Sequence, residues 1–316
     1  MNFKIFLKKP EVRDLIDSNT KMPKYKIESE IKATPLTTNF ALVGLAFDYF
    51  TRFHIKRENP EIKDSIWKAE IVCNTIAGED LQITPNHTIF YEPERFMHKR
   101  GIPTKNEYEI KCLIKHLRSA QDSYNEYLNG GNLSEKTIRS CLLLARIETA
   151  MNSKVYSDLD EIEPEDIEDL RNLIRAMPHD TFTFKDKCNI KPQLKATFLP
   201  KITEGDLILD DTLIDIKVTK TPTLTREIFR QLVAYFILYN YDGATKFTIN
   251  RDLSNFSVNK MGVYFARHGI MYKFNAEDVF LPAAAKNIVV PMFNLITEDY
   301  HKSGTKKYDS DFQCYR

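Results

Sequence analysis

A chain of 316 residues is long enough for one large domain or two ordinary ones, and it can bury a full core without disulfide or metal staples. Its 42% hydrophobic and 28% charged residues are those of a soluble globular protein, and 45 Lys+Arg against 44 Asp+Glu leave a net charge of +1, so no global field advertises a nucleic-acid partner. Cys73, Cys112, Cys141, Cys188 and Cys314 form no C-x-x-C pair that would suggest zinc or an iron–sulfur cluster, and with no secretory signal or membrane-length apolar run the sequence predicts a cytoplasmic, non-membrane protein.

In chain order, residues 41–54 carry apolar side chains at helical spacing, and Thr37-Thr38-Asn39 offers a cap before them. Helical runs follow at 62–76, 106–128, 134–151 and 164–177, punctuated by Gly130-Gly131 and Met177-Pro178. The acidic run 158–169 lacks the glycine and ligand spacing of a calcium loop. Acids around Pro164 suit a helix N-terminus instead. From Thr181 the pattern turns strand-like at 181–185 and 195–200, continues into a hairpin at 206–217, and is followed by a helix at 225–239. Further strands are predicted at 246–249, 261–266 and 271–274, with Arg267-His268-Gly269 as a hairpin turn between the last two. Helices, then strands, a helix and more strands predict an α/β (mixed α+β) chain whose central mixed sheet is flanked by helices.

The hairpin is the most informative segment. Leu207-Ile208-Leu209 and Leu213-Ile214-Asp215-Ile216-Lys217 are β-prone runs joined by Asp210-Asp211-Thr212, and Asp tolerates turn backbone. A two-residue loop sets Leu209 opposite Thr212 and Asp206 opposite Asp215, which brings their Cβ atoms to roughly 5 Å. The period of two puts Lys217 on the face of Asp215. Like charges opposed on an otherwise apolar hairpin point to a divalent cation, because hard cations take carboxylate oxygens. A solvated surface pair of Asp215 and Lys217 is the plainer reading, but the near-continuous apolar flanks are those of strands covered on both faces.

On the helix that follows, Gln231 and Tyr235 stand four apart and so share a face. The ordered set Gly205-Asp206, Asp215-Ile216-Lys217, Gln231-x-x-x-Tyr235 resembles the PD-(D/E)XK nuclease superfamily, specifically its RecB-like branch. That branch commonly adds an upstream G-x-x-x-H helix. Here Gly44 to Asp48 has the spacing with Asp in place of His, and Asp48 is either a further metal ligand or the partner of Arg52. Glu148 competes for the upstream carboxylate role, or is simply a helix residue near Arg146.

The resemblance implies a restriction-endonuclease-like core at 181–316 and a mostly helical part at 1–180 whose segment 37–56 carries the first site residue, together one composite catalytic domain. It implies Mg²⁺ or Mn²⁺ held by Asp48, Asp206, Asp215 and the Ile216 carbonyl, with no iron–sulfur cluster. Lys217 would act on the attacking water and the transition state, and Gln231 and Tyr235 would support the ligands or the substrate. Lys220, Arg226 and Arg230 are candidate phosphate contacts that do not read bases. The expected activity is hydrolysis of DNA, with RNA as an alternative substrate, in bacterial or phage genome defence, recombination or repair. A nuclease-fold binding or scaffolding subunit without turnover is the reading from another class, and partner subunits or a homo-oligomer stay open.

Overall fold

The computed structural model describes residues 3–24, 27–77, 81–83, 89–91, 107–153, 159–196, 199–240, 257–281 and 284–302. Helices come first: α1 (Phe3–Phe6), α2 (Pro10–Asn19), α3 (Phe40–Glu58) and α4 (Lys68–Ala77). A short ladder of β1 (Leu81–Ile83) and β2 (Ile89–Tyr91) precedes α5 (Glu107–Leu128), α6 (Glu135–Ser153) and α7 (Pro164–Ala176). Then follow β3 (Cys188–Ile190), β4 (Gln193–Ala196), β5 (Leu199–Glu204), β6 (Leu207–Leu209), β7 (Thr212–Lys217) and α8 (Arg226–Asn240). The described elements end with β8 (Lys260–Phe265), β9 (Ile270–Asn275) and α9 (Ala284–Lys302).

A mixed five-stranded sheet of order β3-β6-β7-β8-β9 forms the centre. Its pairs are antiparallel except β7 with β8, which is parallel and therefore needs the crossover that α8 supplies. Both faces are covered. Leu207, Leu209, Ile214 and Tyr264 enter a core shared with α3 to α7, whereas Ile208, Leu213, Val263 and Phe265 enter a second core shared with α1, α2, α8 and α9. The alternation is the strand period of two, and it explains why the sequence reads as nearly continuous apolar runs there. No described helix is long and apolar enough to cross a membrane.

Helix α3 is buried on nearly all sides, through Val43, Ala46, Phe47, Tyr49, Phe50 and Phe53. Asn39 stands at its N-cap, but the side chain bonds no helix N–H; it donates instead to both carboxylate oxygens of Asp166, at 3.2 and 3.1 Å. Helix α7 begins with Pro164, followed by Glu165 and Asp166 in its first turn, the N-terminal arrangement expected of the acidic run. Three stretches of chain differ from the sequence-based expectation. Segment 181–185 is turn rather than strand, because the Thr181 and Thr183 hydroxyls donate to the carbonyls of Pro178 and Asp180, at 2.7 and 3.0 Å. The alternating Thr-Phe pattern there reflects a loop that drops Phe182 into the core.

Residues 62–67 precede the helix rather than forming part of it. Glu70 reaches back to accept the Trp67 N–H at 2.7 Å, which fixes the start of α4 at Lys68. The single run predicted at 195–200 is divided between two strands, β4 and β5, paired from Gln193↔Glu204 to Ala196↔Leu199. The strand predicted at 246–249 lies outside the described residues.

Candidate active site

The hairpin has the expected register, Leu209↔Thr212 and Leu207↔Ile214, and Asp210 takes the turn with φ 51. Strand β6 begins only at Leu207, one residue after Asp206, and this shortness builds the site. Along β7, Lys217 gives its carbonyl to Ala266 in the chain after β8, at 2.9 Å, so alternate residues face the β6 side. Ile216 faces that side beyond the end of β6, where it has no strand partner. The Asp206 carboxylate fills the place: Oδ2 accepts the Ile216 N–H at 2.8 Å. The Ile216 carbonyl shares this edge.

Asp215 and Lys217 lie on the same sheet face as Leu213, the face covered by α8. Their charged atoms are 2.7 Å apart, and Asp215 is only 2% exposed. Thr225 caps α8 by accepting the Ile228 N–H at 3.2 Å, and the helix then presents Gln231 and Tyr235 one turn apart. Lys217 Nζ donates to Gln231 Oε1 at 3.2 Å, and Gln231 Nε2 donates to the Tyr235 hydroxyl at 2.8 Å. Acid, lysine, amide and phenol form one chain. Burial pushes the Tyr235 phenol up to about 12, with Asp215 and Asp206 adding to the shift, so it stays a neutral hydroxyl.

Asp48 arrives from α3 past the end of β7; a Cβ built on Gly44 would lie 3.8 Å from the Val218 Cβ. Its Oδ2 binds Arg52 Nη2 at 2.6 Å, so the intrahelical pair exists. Its Oδ1 faces the site as well. Lys191 Nζ lies 2.8 Å from Asp48 Oδ1 and 2.9 Å from Asp206 Oδ1. Sequence reasoning missed this lysine, which carries no periodic signal: it occupies the turn between β3 and β4 with φ 54. Glu148 is engaged by other partners. It accepts the Tyr49 hydroxyl at 2.9 Å and pairs with Lys68, which also reaches Glu204 at 3.5 Å.

Burial would raise the Asp206 carboxyl, but Lys191, Lys217 and the Ile216 N–H outweigh it and hold this acid well below the usual carboxylate range. Asp215 goes the other way, raised to about 6 by burial, with Lys217 opposing and Asp206 adding to the rise. Burial works against the Lys217 ammonium, yet Asp215 and Asp206 raise its pKa. Neighbouring carboxylates with opposite shifts are a frequent mark of sites that handle protons or cations.

The donor set of Asp48, Asp206, Asp215 and the Ile216 carbonyl is all oxygen, which suits Mg²⁺ or Mn²⁺. Asp215 Oδ2 is buried with Lys217 as charge partner but without an aligned hydrogen bond, so it has capacity for a ligand bond. Among the described residues no three acidic, histidine or cysteine side chains converge as a finished cage. Asp48 and Asp206 converge on Lys191 instead.

The proposed phosphate contacts are spread out. Arg230 donates to both carboxylate oxygens of Asp17 on α2, Nε at 2.9 Å and Nη2 at 2.5 Å, and Arg226 lies 3.9 Å from the same acid. Lys220 is exposed, and its carbonyl lies 3.1 Å from His268 Nε2. A groove of about 560 Å³ between α5 and α6, lined by Lys111, Lys115, Arg118 and Lys136, shares no residue with the aspartate cluster. No family model matches the chain, and neither a curated protein nor a solved structure matches it significantly.

Proposed function

We propose that the chain is an Mg²⁺- or Mn²⁺-dependent nuclease of the PD-(D/E)XK type, RecB-like branch, that hydrolyses DNA phosphodiesters in bacterial or phage genome defence, recombination or repair. One observation carries the reading. Asp206, bonded to the Ile216 N–H, and the Asp215–Lys217 pair, continued through Gln231 to Tyr235, gather on one hairpin edge, with Asp48 facing them. Surface charges would have no need of this burial or of two helices to buttress them.

Asp206 and Asp215, with the Ile216 carbonyl and Asp48, would hold the ion. When bound, it acidifies a water and neutralises charge on the scissile phosphate. Lys217, kept protonated by the two acids, would orient the attacking water and stabilise the pentacovalent transition state. Gln231 fixes the Lys217 ammonium from the helix side, and Tyr235 fixes Gln231 in turn. Exposed Lys220 and Arg226 meet substrate phosphates at the rim.

Incubation of the purified chain with circular and linear DNA, single and double stranded, and with RNA, with and without Mn²⁺, tests the proposal. Mn²⁺-dependent cleavage of DNA that is lost in Asp215→Asn is the expected result. A binding subunit without turnover is favoured by one feature, the satisfaction of Asp48 and Asp206 by Lys191. Binding of nucleic acid with no cleavage under any metal condition would select it.

A further inference from the structure

Lys191 does more than fill space, and what it does rests on the proposed metal site. Each of the three ligand carboxylates, Asp48, Asp206 and Asp215, already has a cation beside it, Arg52, Lys191 or Lys217, in the metal-free protein. A divalent ion added to this set leaves an excess of positive charge in a place where little water screens it. One cation must yield. Arg52 is committed to α3, stacked over the Tyr49 ring at 4.8 Å, and Lys217 is tied to Asp215 and Gln231. Lys191 alone has its ammonium between two of the ligand carboxylates, at 2.8 and 2.9 Å.

We propose that Lys191 is a built-in competitor of the divalent cation, neutralising Asp48 and Asp206 in the metal-free protein and leaving them when the metal binds. The local backbone is arranged to deliver it. Lys191 adopts φ 54, a left-handed conformation that an L-residue with a long side chain rarely takes without compensation. Its N–H donates to the Asp206 carbonyl at 3.1 Å, and the Gly205 N–H donates to the Pro192 carbonyl at 3.0 Å, so the turn is laced to the residues beside the ligand. Gly205 allows that approach, because a Cβ there would lie 3.1 Å from the rigid Pro192 ring. The side chain is 9% exposed, so its place between the acids is enclosed rather than solvated.

A lysine in this role raises the metal concentration at which the site fills and keeps two buried acids paired in the meantime. A purely structural lysine does the opposite: its loss disorders the carboxylates and weakens metal binding. Calorimetric titration of the full chain with MnCl₂ alone separates the two. Lys191→Gly removes the ammonium and relieves the backbone, and should tighten Mn²⁺ binding roughly ten- to hundred-fold. Lys191→Arg keeps the charge and should stay within about three-fold of the wild type.

Asp215→Asn is the control that ties the heat to this site. Unchanged or weaker binding by Lys191→Gly, with the isotherm still abolished by Asp215→Asn, overturns the inference about the lysine alone. An isotherm indifferent to Asp215→Asn, or no heat from any of these proteins, overturns the metal site as well. Should Lys191→Gly fail to fold by circular dichroism, Lys191→Met is titrated and read by the same outcomes.

Discussion

At the scale of single residues, the Asp206–Asp215 pair sets the pH behaviour. The Asp215 carboxyl, raised to about 6, takes up a proton in the folded state that the unfolded chain, with an ordinary Asp near 3.9, does not yet hold. Stability of the metal-free protein linked to this group should therefore rise as pH falls from 7 through 6 towards the unfolded value. Asp206 is depressed, so its contribution is present above the unfolded value and is lost at lower pH. Urea denaturation of the wild type and Asp215→Asn across pH 4 to 7.5 checks this; a stability difference that stays flat through pH 6 contradicts it. At the proposed metal site protons and metal would compete for the same carboxylate, so Mn²⁺ affinity should fall with pH over the same window. Asp215 and Lys217 were legible in the sequence because alternation on an apolar strand leaves few places for a charge. Lys191 was not, because it lies in a turn and only tertiary folding brings it to Asp48.

At the scale of elements, α8 and β7 carry the residues proposed for the chemistry while α7 secures the frame. Lys217→Ala should lower single-turnover cleavage by about 10²–10³, the cost of losing one electrostatic stabiliser, with DNA affinity little changed. Gln231→Leu leaves the ammonium present but unguided, and should cost about 10–100-fold. Rapid-quench assays rank the two, and equal losses would mean that Lys217 acts only by way of its amide partner. Arg267, at the turn between β8 and β9, is fully buried and bonds Asp169 on α7 through both terminal nitrogens, at 2.7 and 2.9 Å. Arg267→Met strands the Asp169 charge and should cost about 3–5 kcal/mol of stability by urea denaturation. The hairpin and α8 were readable because turn residues and helical spacing lie within short windows of sequence. The 181–185 turn was not, since threonine hydroxyls can satisfy the backbone locally while the residues still alternate like a strand.

At the scale of the whole molecule, the near-neutral charge makes the position of a nucleic-acid track a question of local geometry. Arg230 reads in sequence as a phosphate contact, but its Nε and Nη2 hold Asp17 and so dock α2 against α8. Arg230→Ala should loosen that contact and lower thermal stability while leaving the salt dependence of binding nearly intact. Lys220 and Arg226 are exposed in the chain that follows the hairpin, and each phosphate contact removed should reduce the slope of log K against log salt by about 0.9 on duplex DNA. The double variant Lys220→Ala, Arg226→Ala should therefore lose nearly two units of slope, with cleavage recovering at saturating protein because the chemistry is untouched. Lys115 and Arg118, on the groove between α5 and α6, are the control pair. If their removal flattens the salt dependence and removal of Lys220 and Arg226 does not, the substrate backbone runs over the helical layer, and the proposed metal edge must be reached by way of α3.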